Sequence, residues 1–539
     1  MRREQVFWGW GEAGSGPSLP DHAGAFLKAL GVSGEVVAPP VALEDVQLSE
    51  PALGRALAAK LAGIVGEEAV RSDRSARVLR CAGKSYLDLL AQRAGACTDA
   101  PDAVVAPASH EQVLAVLRAC NEDDVAVVPF GGGTSVVGGV APLRKGRRAL
   151  ISLDLGRMDA LVSLDERSQT AVIEPGLRLP EADRILGARG YTLGHFPQSY
   201  EWATVGGCVA TRSAGQASTG FGRIDANVVG IRCATPLGEL STHAVPASAA
   251  GPELRELLAG SEGVLGVLTR VALRVHPVAA TRRYEGFFVK DFGEGWDALR
   301  RLKQSGAAPD VARLSDEEET RISLALAGRH GAKAMLGNAV LSARGFASGC
   351  LVICGWEGSA ASVARRRAEA VRILRSAGAM AIGRGAGEKW LAHRYAGPHL
   401  RDDLLDRGVL VETLETAASW SSLDTVYRAV GDALRGALPG ALVGCHVSHL
   451  YATGASLYFT VIGAQDRDDP VAQWRVAKDA ASRAMVGAGA TITHHHAVGA
   501  DHAPYLGDEI GSMGVALLRA VKDRVDPAGI MNPGKLIAS

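Results

Sequence analysis

The sequence lacks an excess of charge of one sign and has no long apolar run, and it contains few aromatic residues. The first two absences argue against a nucleic-acid-binding protein, a secreted protein and a membrane-spanning protein. Lys plus Arg equal Asp plus Glu at 58 each, so the formal net charge is zero and no basic footprint for nucleic acid is present. Aromatic residues make up only 5% of the chain. No run of about eighteen apolar residues occurs, and the opening MRREQVFWGWGEAGSG lacks the apolar segment of a signal peptide. We therefore expect a cytoplasmic chain without a signal peptide or a transmembrane helix.

A disulfide framework is also absent. The eight cysteines are scattered over 539 residues without a CxxC pair. This pattern predicts free, buried thiols in a reducing compartment.

Glycine, in contrast, is abundant, with 65 residues, and five of them cluster within residues 131–139. Residues 125–140 read VAVVPFGGGTSVVGGV, an apolar strand pattern followed by three glycines and two hydroxyl residues. A backbone without Cβ atoms lets successive N–H groups approach a phosphate or pyrophosphate closely. A flexible turn between two strands is the alternative interpretation of a single glycine cluster.

Two more stretches of small residues follow at 197–222 and 260–268, each beside a strand pattern. Three such loops within about 140 residues predict one long ligand threaded through one domain. A literal GxGxxG at residues 9–14 lacks a preceding strand and is followed by prolines, so we reject it as a dinucleotide fingerprint.

These stretches resemble the FAD-binding domain of the vanillyl-alcohol-oxidase, or p-cresol methylhydroxylase (PCMH), superfamily, and within it the alkyldihydroxyacetonephosphate synthase family. The resemblance implies FAD as cofactor, held by four segments and a flavin-side histidine. The implied cofactor-binding residues are Pro129, Phe130, Gly131, Gly132, Gly133, Thr134, Ser135, His195, Gln198, Ser199, Tyr200, Glu201, Trp202, Ala203, Thr204, Thr211, Arg212, Ser213, Ala214, Glu262, Gly263, Val264, Leu265, Gly266, Val267 and Leu268. Relatives that bond FAD covalently have a histidine where this chain has Thr134, so we expect non-covalent FAD.

The implied fold is α+β: a two-part PCMH-type FAD-binding domain, an α+β cap domain and a helical N-terminal extension. We expect the extension at 1–98, the FAD-binding domain at 99–278, the cap at 279–500 and a C-terminal helical segment closing the flavin site at 501–539. Local patterns predict strands at 125–129, 149–153 and 170–173 and a helix at 180–188. Ser109 and Gln112 predict a capping box at the start of another helix.

Alternating residues predict a hairpin across 444–462 with Gly454 in its turn. On its second strand Ser456, Tyr458 and Thr460 share one face, and the apolar residues between them share the other. Tyr458 therefore lies on a polar face. The resemblance gives the matching tyrosine a role in proton transfer, whereas a tyrosine packed at a sheet edge is the alternative.

Residues 491–499 read TITHHHAVG. In an extended segment His494 and His496 point one way and His495 the other, so at most two would serve one site directly. Imidazoles carry protons at neutral pH. An exposed turn and a metal site are the alternatives, but consecutive histidines lack typical zinc spacing and no nearby cysteine or carboxylate completes a tetrahedral set in sequence, so no metal is predicted.

The run resembles the family's triple-histidine motif, and Arg313 and Arg401 match its two active-site arginines. Either arginine alone would be interpreted as a surface cation. The chain departs from the family pattern at Gln198, where an aspartate is usual, and at Ala497, where a glycine is usual.

The resemblance implies an FAD-dependent transferase of ether-lipid synthesis, which exchanges the acyl chain of acyl-dihydroxyacetone phosphate for a fatty alcohol through an adduct at flavin N5. Tyr458, His494, His495, His496 and Arg313 would be catalytic, and Arg401 would bind the substrate. Lipid-like substrates, a homodimer and peripheral membrane contact are implied as well. An FAD-dependent dehydrogenase or oxidase of a 2-hydroxy acid or alcohol is the main alternative, supported by the ending IMNPGKL at 530–536. A non-catalytic lipid or flavin carrier is the third.

Overall fold

The computed structural model describes residues 3–326 and 341–537. Within them, the strands form sheets of four, five and seven strands and one two-stranded ladder. Helices and strands alternate along the chain, and this confirms the predicted α+β class.

The first sheet has the order β1-β2-β4-β3, with β2, β4 and β3 parallel and β1 antiparallel. Its strands are β1 (Val70–Arg71), β2 (Ala103–Val105), β3 (Val125–Phe130) and β4 (Ala149–Asp154). The helices of this part are α1 (Gly24–Ala29), α2 (Arg55–Val65), α3 (Arg74–Leu79), α4 (Tyr86–Arg93) and α5 (His110–Glu122). Leu57 and Leu61 of α2 pack with Val113 and Leu117 of α5 in one buried core.

Two predictions in this part need correction. The first 98 residues are only partly helical, because long stretches before α2 have no regular structure. The capping box is half formed: the Ser109 hydroxyl accepts from the Gln112 N–H at 3.2 Å, but the Gln112 side chain accepts from Ala108 instead of Ser109.

The second sheet is antiparallel, in the order β5-β6-β10-β8-β9. Its strands are β5 (Leu161–Asp165), β6 (Thr170–Ile173), β8 (Val228–Thr235), β9 (Gly238–Ser241) and β10 (Val267–Arg274). A two-stranded ladder joins β7 (Tyr191–Thr192) to β11 (His276–Pro277). The helices here are α6 (Leu179–Gly187), α7 (Val205–Ala210), α8 (Ser218–Phe221) and α9 (Leu254–Leu258). The predicted strand at 170–173 and helix at 180–188 are confirmed, the helix within one residue.

The third sheet is antiparallel, in the order β15-β12-β14-β13-β17-β18-β16. Its strands are β12 (Thr281–Val289), β13 (Val311–Ser315), β14 (Cys350–Gly358), β15 (Met380–Gly383), β16 (Val409–Ser419), β17 (Leu442–Leu450) and β18 (Gly454–Ala464). The remaining α-helices in the described residues are α10 (Phe292–Gln304), α11 (Glu317–Leu326), α12 (Ala360–Ser376), α13 (Arg384–His393), α14 (Gly397–Asp406), α15 (Leu423–Ala437), α16 (Pro470–Gly487) and α17 (Leu506–Val525).

The two faces of the third sheet differ in chemistry. Leu414, Val447, Leu457 and Phe459 are buried in one core with residues of α10, α12, α15 and α16. Tyr458 lies on the opposite face, as predicted, because successive strand residues alternate between faces.

The predicted hairpin is confirmed, but the predicted role of Gly454 is wrong. Gly454 is the first residue of β18 and pairs with Ser419 of β16. A Cβ at this position would lie 2.0 Å from the carbonyl oxygen of Ala418. The glycine is therefore needed for the close approach of β16, and residues 451–453 make the turn.

All eight cysteines are free and buried, as expected. None of the helices in the described part of the chain combines the length and apolar character that a bilayer span requires.

Candidate active site

The glycine loop, residues 129–135, leaves the carboxyl end of β3 and runs directly against residues 202–204. A Cβ on Gly132 would lie 2.2 Å from the carbonyl oxygen of Trp202, and one on Gly131 would lie 2.4 Å from the Thr204 hydroxyl oxygen. Gly133 has φ +65°, which glycine adopts without strain. Two of the four predicted flavin segments are therefore in backbone contact, and only glycine allows this contact.

The same loop offers hydrogen-bond donors. The backbone N–H groups of Gly132, Gly133 and Thr134 find no acceptor among the residues that the structure describes. Backbone donors seldom stay unpaired, and successive free N–H groups form an anion-binding nest. The loop thus fits the pyrophosphate of FAD.

Of the other two predicted segments, residues 262–268 meet the glycine loop, and Ala210, which directly precedes residues 211–214, contacts Glu262. The backbone N–H of Glu262 donates to the carbonyl of Ala210, and a Cβ on Gly263 would lie 2.9 Å from the Pro129 ring. Arg212 does not point to a phosphate: its guanidinium donates to the carbonyls of Ala259 and Glu256 and so fixes the turn before β10. Residues 262–268 therefore link the glycine loop to the residue that precedes segment 211–214, and Arg212 of that segment holds the turn before β10.

His195 lies beside these segments and is 1% exposed. Its Nε2 is 2.7 Å from the Ser213 hydroxyl, and its Nδ1 has no partner in the described residues. Burial lowers the pKa of His195 to about 3, because the opposing charge of Asp225 offsets only part of this effect and the nearby His495 acts in the same direction as burial. His195 is thus a neutral imidazole within electrostatic reach of the histidines.

Across the polar face of the third sheet, three side chains form a row. His446 of β17 pairs with Tyr458 of β18, and Tyr458 pairs with Glu415 of β16. The Tyr458 ring stacks on His446 with centroids 4.7 Å apart and on His495 at 6.0 Å, and it meets His496 edge-on at 5.4 Å. Burial raises the pKa of Tyr458 to about 12, so the phenol is protonated at neutral pH.

The histidine loop, residues 491–499, is not extended. It bends around Glu415, whose carboxylate accepts hydrogen bonds from the backbone N–H groups of His494, His495 and His496 at 2.7 to 3.1 Å and from the Thr493 hydroxyl at 2.6 Å. All three imidazoles therefore lie together, with ring centroids 5.2 Å and 4.7 Å apart in succession. The prediction that at most two could serve one site is wrong, because it assumed a strand-like backbone.

The charge state of this loop follows from its burial. Burial would raise the pKa of Glu415, but His495 and then His496 and His494 lower it well below its usual value. Burial lowers the pKa values of His494 and His496 to about 3. His495 is the imidazole whose Nδ1, at 3.2 Å, faces the carboxylate of Glu415. The loop therefore presents two neutral imidazoles and one carboxylate-paired imidazole.

The two predicted arginines lie on either side of the row. Arg313 donates to Glu319 at 2.7 Å and contacts His446 at 3.0 Å, so it reaches Tyr458 only through the His446 ring. Arg401, on α14, has a buried Nε without a hydrogen-bond partner in the described residues. The charge of Arg401 partly offsets the raised pKa of Tyr458. Arg401 is therefore free to bind an anion close to the phenol.

The N-terminal tryptophan segment supports the Arg401 helix. The backbone N–H of Trp10 donates to the carboxylate of Asp402 at 2.5 Å, and a Cβ on Gly9 would lie 2.7 Å from the same carboxylate. The residues of the rejected GxGxxG are thus packing residues of the cap.

Glu262 joins the flavin segments to the histidine loop. Its buried carboxylate accepts from the N–H groups of Val498 at 2.9 Å and Gly499 at 2.7 Å. Burial raises the pKa of Glu262 to about 7. Arg223 makes a second link by donating to the carbonyl of His494 at 2.8 Å. The polar face of the cap therefore sits directly on the glycine-rich segments.

Sequence reasoning missed Glu415, His446, His449, Tyr451 and Glu319. The His449 ring stacks on the His494 ring with centroids 5.1 Å apart. The Tyr451 hydroxyl lies 2.6 Å from Nε2 of His494. A register shift between Val447 and Leu450 turns His449 toward the same side as His446. The sequence signal that could have pointed to His446, His449 and Tyr451 is the segment CHVSHLY at 445–451, where two histidines and a tyrosine lie close together on the first strand of the hairpin and at its end.

Of the two departures from the family pattern, Gln198 lies outside the group of side chains around Tyr458, whereas Ala497 lies in the histidine loop. Gln198 is exposed and accepts from Gln216 at 3.1 Å. Ala497 lies within the histidine loop at φ +76°, a conformation in which glycine is unstrained.

Comparison with known proteins also indicates an FAD-binding enzyme. Residues 101–243 match the family model of the FAD binding domain, and residues 278–536 match that of the C-terminal domain of FAD linked oxidases. Alkyldihydroxyacetonephosphate synthase of Dictyostelium discoideum is 31% identical over 96% of this chain and 88% of its own. The synthase of Trypanosoma brucei brucei is 31% identical over 99% and 93%.

Solved structures agree. A structure of an alkyldihydroxyacetonephosphate synthase superposes with a TM-score of 0.84 at 28% identity, covering 98% of both chains. p-Cresol methylhydroxylase superposes with a TM-score of 0.69 at 17% identity and covers 93% of this chain and 99% of its own. The fold and the glycine-rich site define an FAD-dependent enzyme with the p-cresol methylhydroxylase fold. Within that class, the chain belongs to the alkyldihydroxyacetonephosphate synthase family.

Proposed function

We propose that this protein forms alkyldihydroxyacetone phosphate by exchanging the acyl chain of acyl-dihydroxyacetone phosphate for a fatty alcohol, with release of a fatty acid. The observation that carries the proposal is the row His446, Tyr458 and Glu415, whose carboxylate holds the histidine loop beside the phenol. Glu262 links the same loop to the segments that would hold FAD. Family membership supports the same activity.

Proton transfer is assigned to Tyr458 and the histidine loop. The reaction needs one proton removed from the substrate carbon and one from the alcohol. It then needs one proton given to the leaving carboxylate and one returned to the substrate carbon once the alcohol has added. A carboxylate that orients an imidazole is the usual arrangement of a general base, and His495 has this arrangement with Glu415. Tyr458, as a protonated phenol, donates to the departing oxygen. His494 and His496 relay protons as neutral rings.

The cofactor and the substrate are assigned to separate groups. The glycine loop and residues 198–204, 211–214 and 262–268 would hold FAD non-covalently, and His195 would line its ring. When bound, FAD supplies an electrophilic ring to the substrate carbon without net oxidation. Arg401 binds the substrate phosphate, and Arg313 positions His446 through its contact with that ring.

The test is incorporation of labelled fatty alcohol into acyl-dihydroxyacetone phosphate by purified yellow protein without any electron acceptor. We expect labelled ether product and one fatty acid released per turnover. If the flavin instead bleaches on anaerobic addition of a 2-hydroxy acid, and turnover requires an acceptor, the protein is a dehydrogenase and the proposal is wrong.

We also propose that the chain works in the cytoplasm as a homodimer that contacts membranes peripherally. Both substrates carry long apolar chains. The exposed face of α17 presents Met513 at 72% and Leu517 at 62% exposure, which supports contact with a lipid surface. Light scattering should give twice the chain mass of 56.0 kDa. Leu517→Glu should reduce sedimentation with phospholipid vesicles, and unchanged sedimentation would contradict the assigned surface.

A further inference from the structure

Three imidazoles converge at one end of the histidine loop. We call His449, His494 and His495 the histidine cluster, because each offers a ring nitrogen and these nitrogens lie within 4.8 Å of one another. The two Nδ1 atoms of His494 and His495 are 2.9 Å apart. The His449 ring stacks on His494 with centroids 5.1 Å apart and meets His495 edge-on at 5.3 Å.

The ring nitrogens of the cluster are not all paired. One proton can lie between the two Nδ1 atoms of His494 and His495. The Nδ1 of His449 is buried and has no partner in the described residues. Leaving a buried polar atom unpaired costs about 1–3 kcal/mol, so such an atom needs an explanation.

A metal ion satisfies all three nitrogens. Imidazole nitrogens bind Zn²⁺ at about 2.0–2.1 Å, which places tetrahedral ligands about 3.3 Å apart. The ring nitrogens lie within 4.8 Å of one another, so each pair has to approach by at most about 1.5 Å to reach this geometry. The sequence argued against a metal because consecutive histidines lack the usual zinc spacing and no cysteine or carboxylate near the run completes a tetrahedral set. The third ligand is His449, which β17 brings from 45 positions before His494.

The surroundings suit a divalent transition metal. The Tyr451 hydroxyl, 2.6 Å from His494 Nε2, can fix the tautomer that leaves Nδ1 for the metal. Glu415 Oε2, 3.2 Å from His495 Nδ1, supplies a negative charge beside the cation. Nitrogen ligands select zinc, cobalt, nickel or copper and disfavour calcium and magnesium.

We propose that the histidine cluster binds one divalent transition-metal ion of the Zn²⁺ type, and that this ion inhibits the enzyme. Binding of the ion stands on the geometry alone. Inhibition rests on the proposed function, because His494 and His495 cannot carry protons while their nitrogens hold a metal.

The binding test uses full-length, tag-free holoenzyme stripped with a chelator and desalted. Zn²⁺ is added, and bound zinc is measured by elemental analysis after gel filtration. The ligand-field absorption of added Co²⁺ gives the coordination geometry. His449→Phe removes the third ligand and keeps an aromatic ring against His494. His393→Phe, on the exposed surface of α13, is the matched control.

We expect one zinc per chain in the wild type and the control, and at least a 100-fold weaker affinity in His449→Phe with an unchanged FAD spectrum. Zinc binding that is equal in wild type and His449→Phe, or absent from both, overturns the proposal.

The activity test compares stripped and zinc-loaded enzyme in labelled-alcohol exchange. We expect zinc to lower the wild-type rate at least tenfold, a chelator to restore it, and His449→Phe to resist zinc. If stripping abolishes the rate and zinc restores it, the inhibitory role is wrong. An enzyme that is inactive in every state counts against the proposed function, whereas zinc content still decides the metal site.

Discussion

The glycine loop and the histidine loop meet at one site, but different interactions fix their positions. In the glycine loop, backbone atoms touch backbone atoms: a Cβ on Gly132 would lie 2.2 Å from the Trp202 carbonyl oxygen. In the histidine loop, one buried carboxylate from another strand, Glu415, receives three backbone N–H groups. The first arrangement depends on the absence of side chains, and the second on buried side chains, of which Glu415 makes the most bonds to the loop and Glu262 binds its far end. Substitutions should therefore separate cofactor binding from chemistry.

The largest expected effect is on chemistry. Tyr458→Phe keeps the ring stacked on His446 and His495 but removes the phenol, so kcat for alcohol exchange should fall by about 10²–10⁴-fold. The FAD content, measured from the flavin absorbance per chain, should stay unchanged. Tyr505→Phe, which loses only a hydrogen bond to Asp479, is the control. A full-rate Tyr458→Phe enzyme would remove Tyr458 from the mechanism.

The next effect tests whether one carboxylate holds the histidine loop. In Glu415→Gln, the amide NH₂ replaces an oxygen that accepts backbone N–H groups, so the free energy of unfolding should drop by about 3 kcal/mol. Urea unfolding followed by circular dichroism measures it. Glu388→Gln, at an exposed pair on α13, should change nothing. Equal stability of the two variants would show that other contacts fix the loop.

The counterpart in the glycine loop should affect the cofactor first. Gly132→Ala forces the loop away from residue 202, at a cost of about 1–3 kcal/mol, so FAD should be lost about tenfold or more readily on gel filtration. Activity should return when excess FAD is added. Gly63→Ala in α2, where a new Cβ meets nothing within 4 Å, should retain FAD fully. A stable yellow Gly132→Ala protein would contradict the backbone-contact explanation.

The difference between the loops also explains what the sequence could predict. The glycine loop is recognisable because its composition is local, and Tyr458 could be placed on a polar face because strand alternation is local. Glu415 and His449 could not be found, because their contacts depend on the register of strands more than 40 positions from the histidine run. The bends of the histidine loop and the position of Gly454 in β18 have the same cause, since both are set by β16.

A smaller effect is the dependence of the unfolding free energy on pH, which His502, next to the histidine loop, should cause in part. Burial lowers the pKa of His502 to about 3, so the unfolded chain, with an ordinary histidine, binds more protons between pH 6.5 and 3. The stability from His502 is therefore complete above pH 6.5 and is lost as the pH falls. Between pH 7.5 and 5.5 the loss is about 1.4 kcal/mol for this group. His502→Gln should reduce the acid-induced drop in unfolding free energy by that amount, while the exposed His393→Gln should not. An equal drop in both variants would contradict the assignment.

The smallest effect concerns backbone strain in the histidine loop. Ala497 has φ +76°, where an alanine Cβ is strained, so Ala497→Gly should stabilise the protein by about 1 kcal/mol. Ala481→Gly, in the middle of α16, should destabilise it by about 1 kcal/mol, because glycine disfavours helix. Thermal unfolding midpoints should therefore move in opposite directions for the same substitution. If both variants lost stability, the contacts around Glu262 and Glu415 would be strong enough to hold residue 497 without measurable strain.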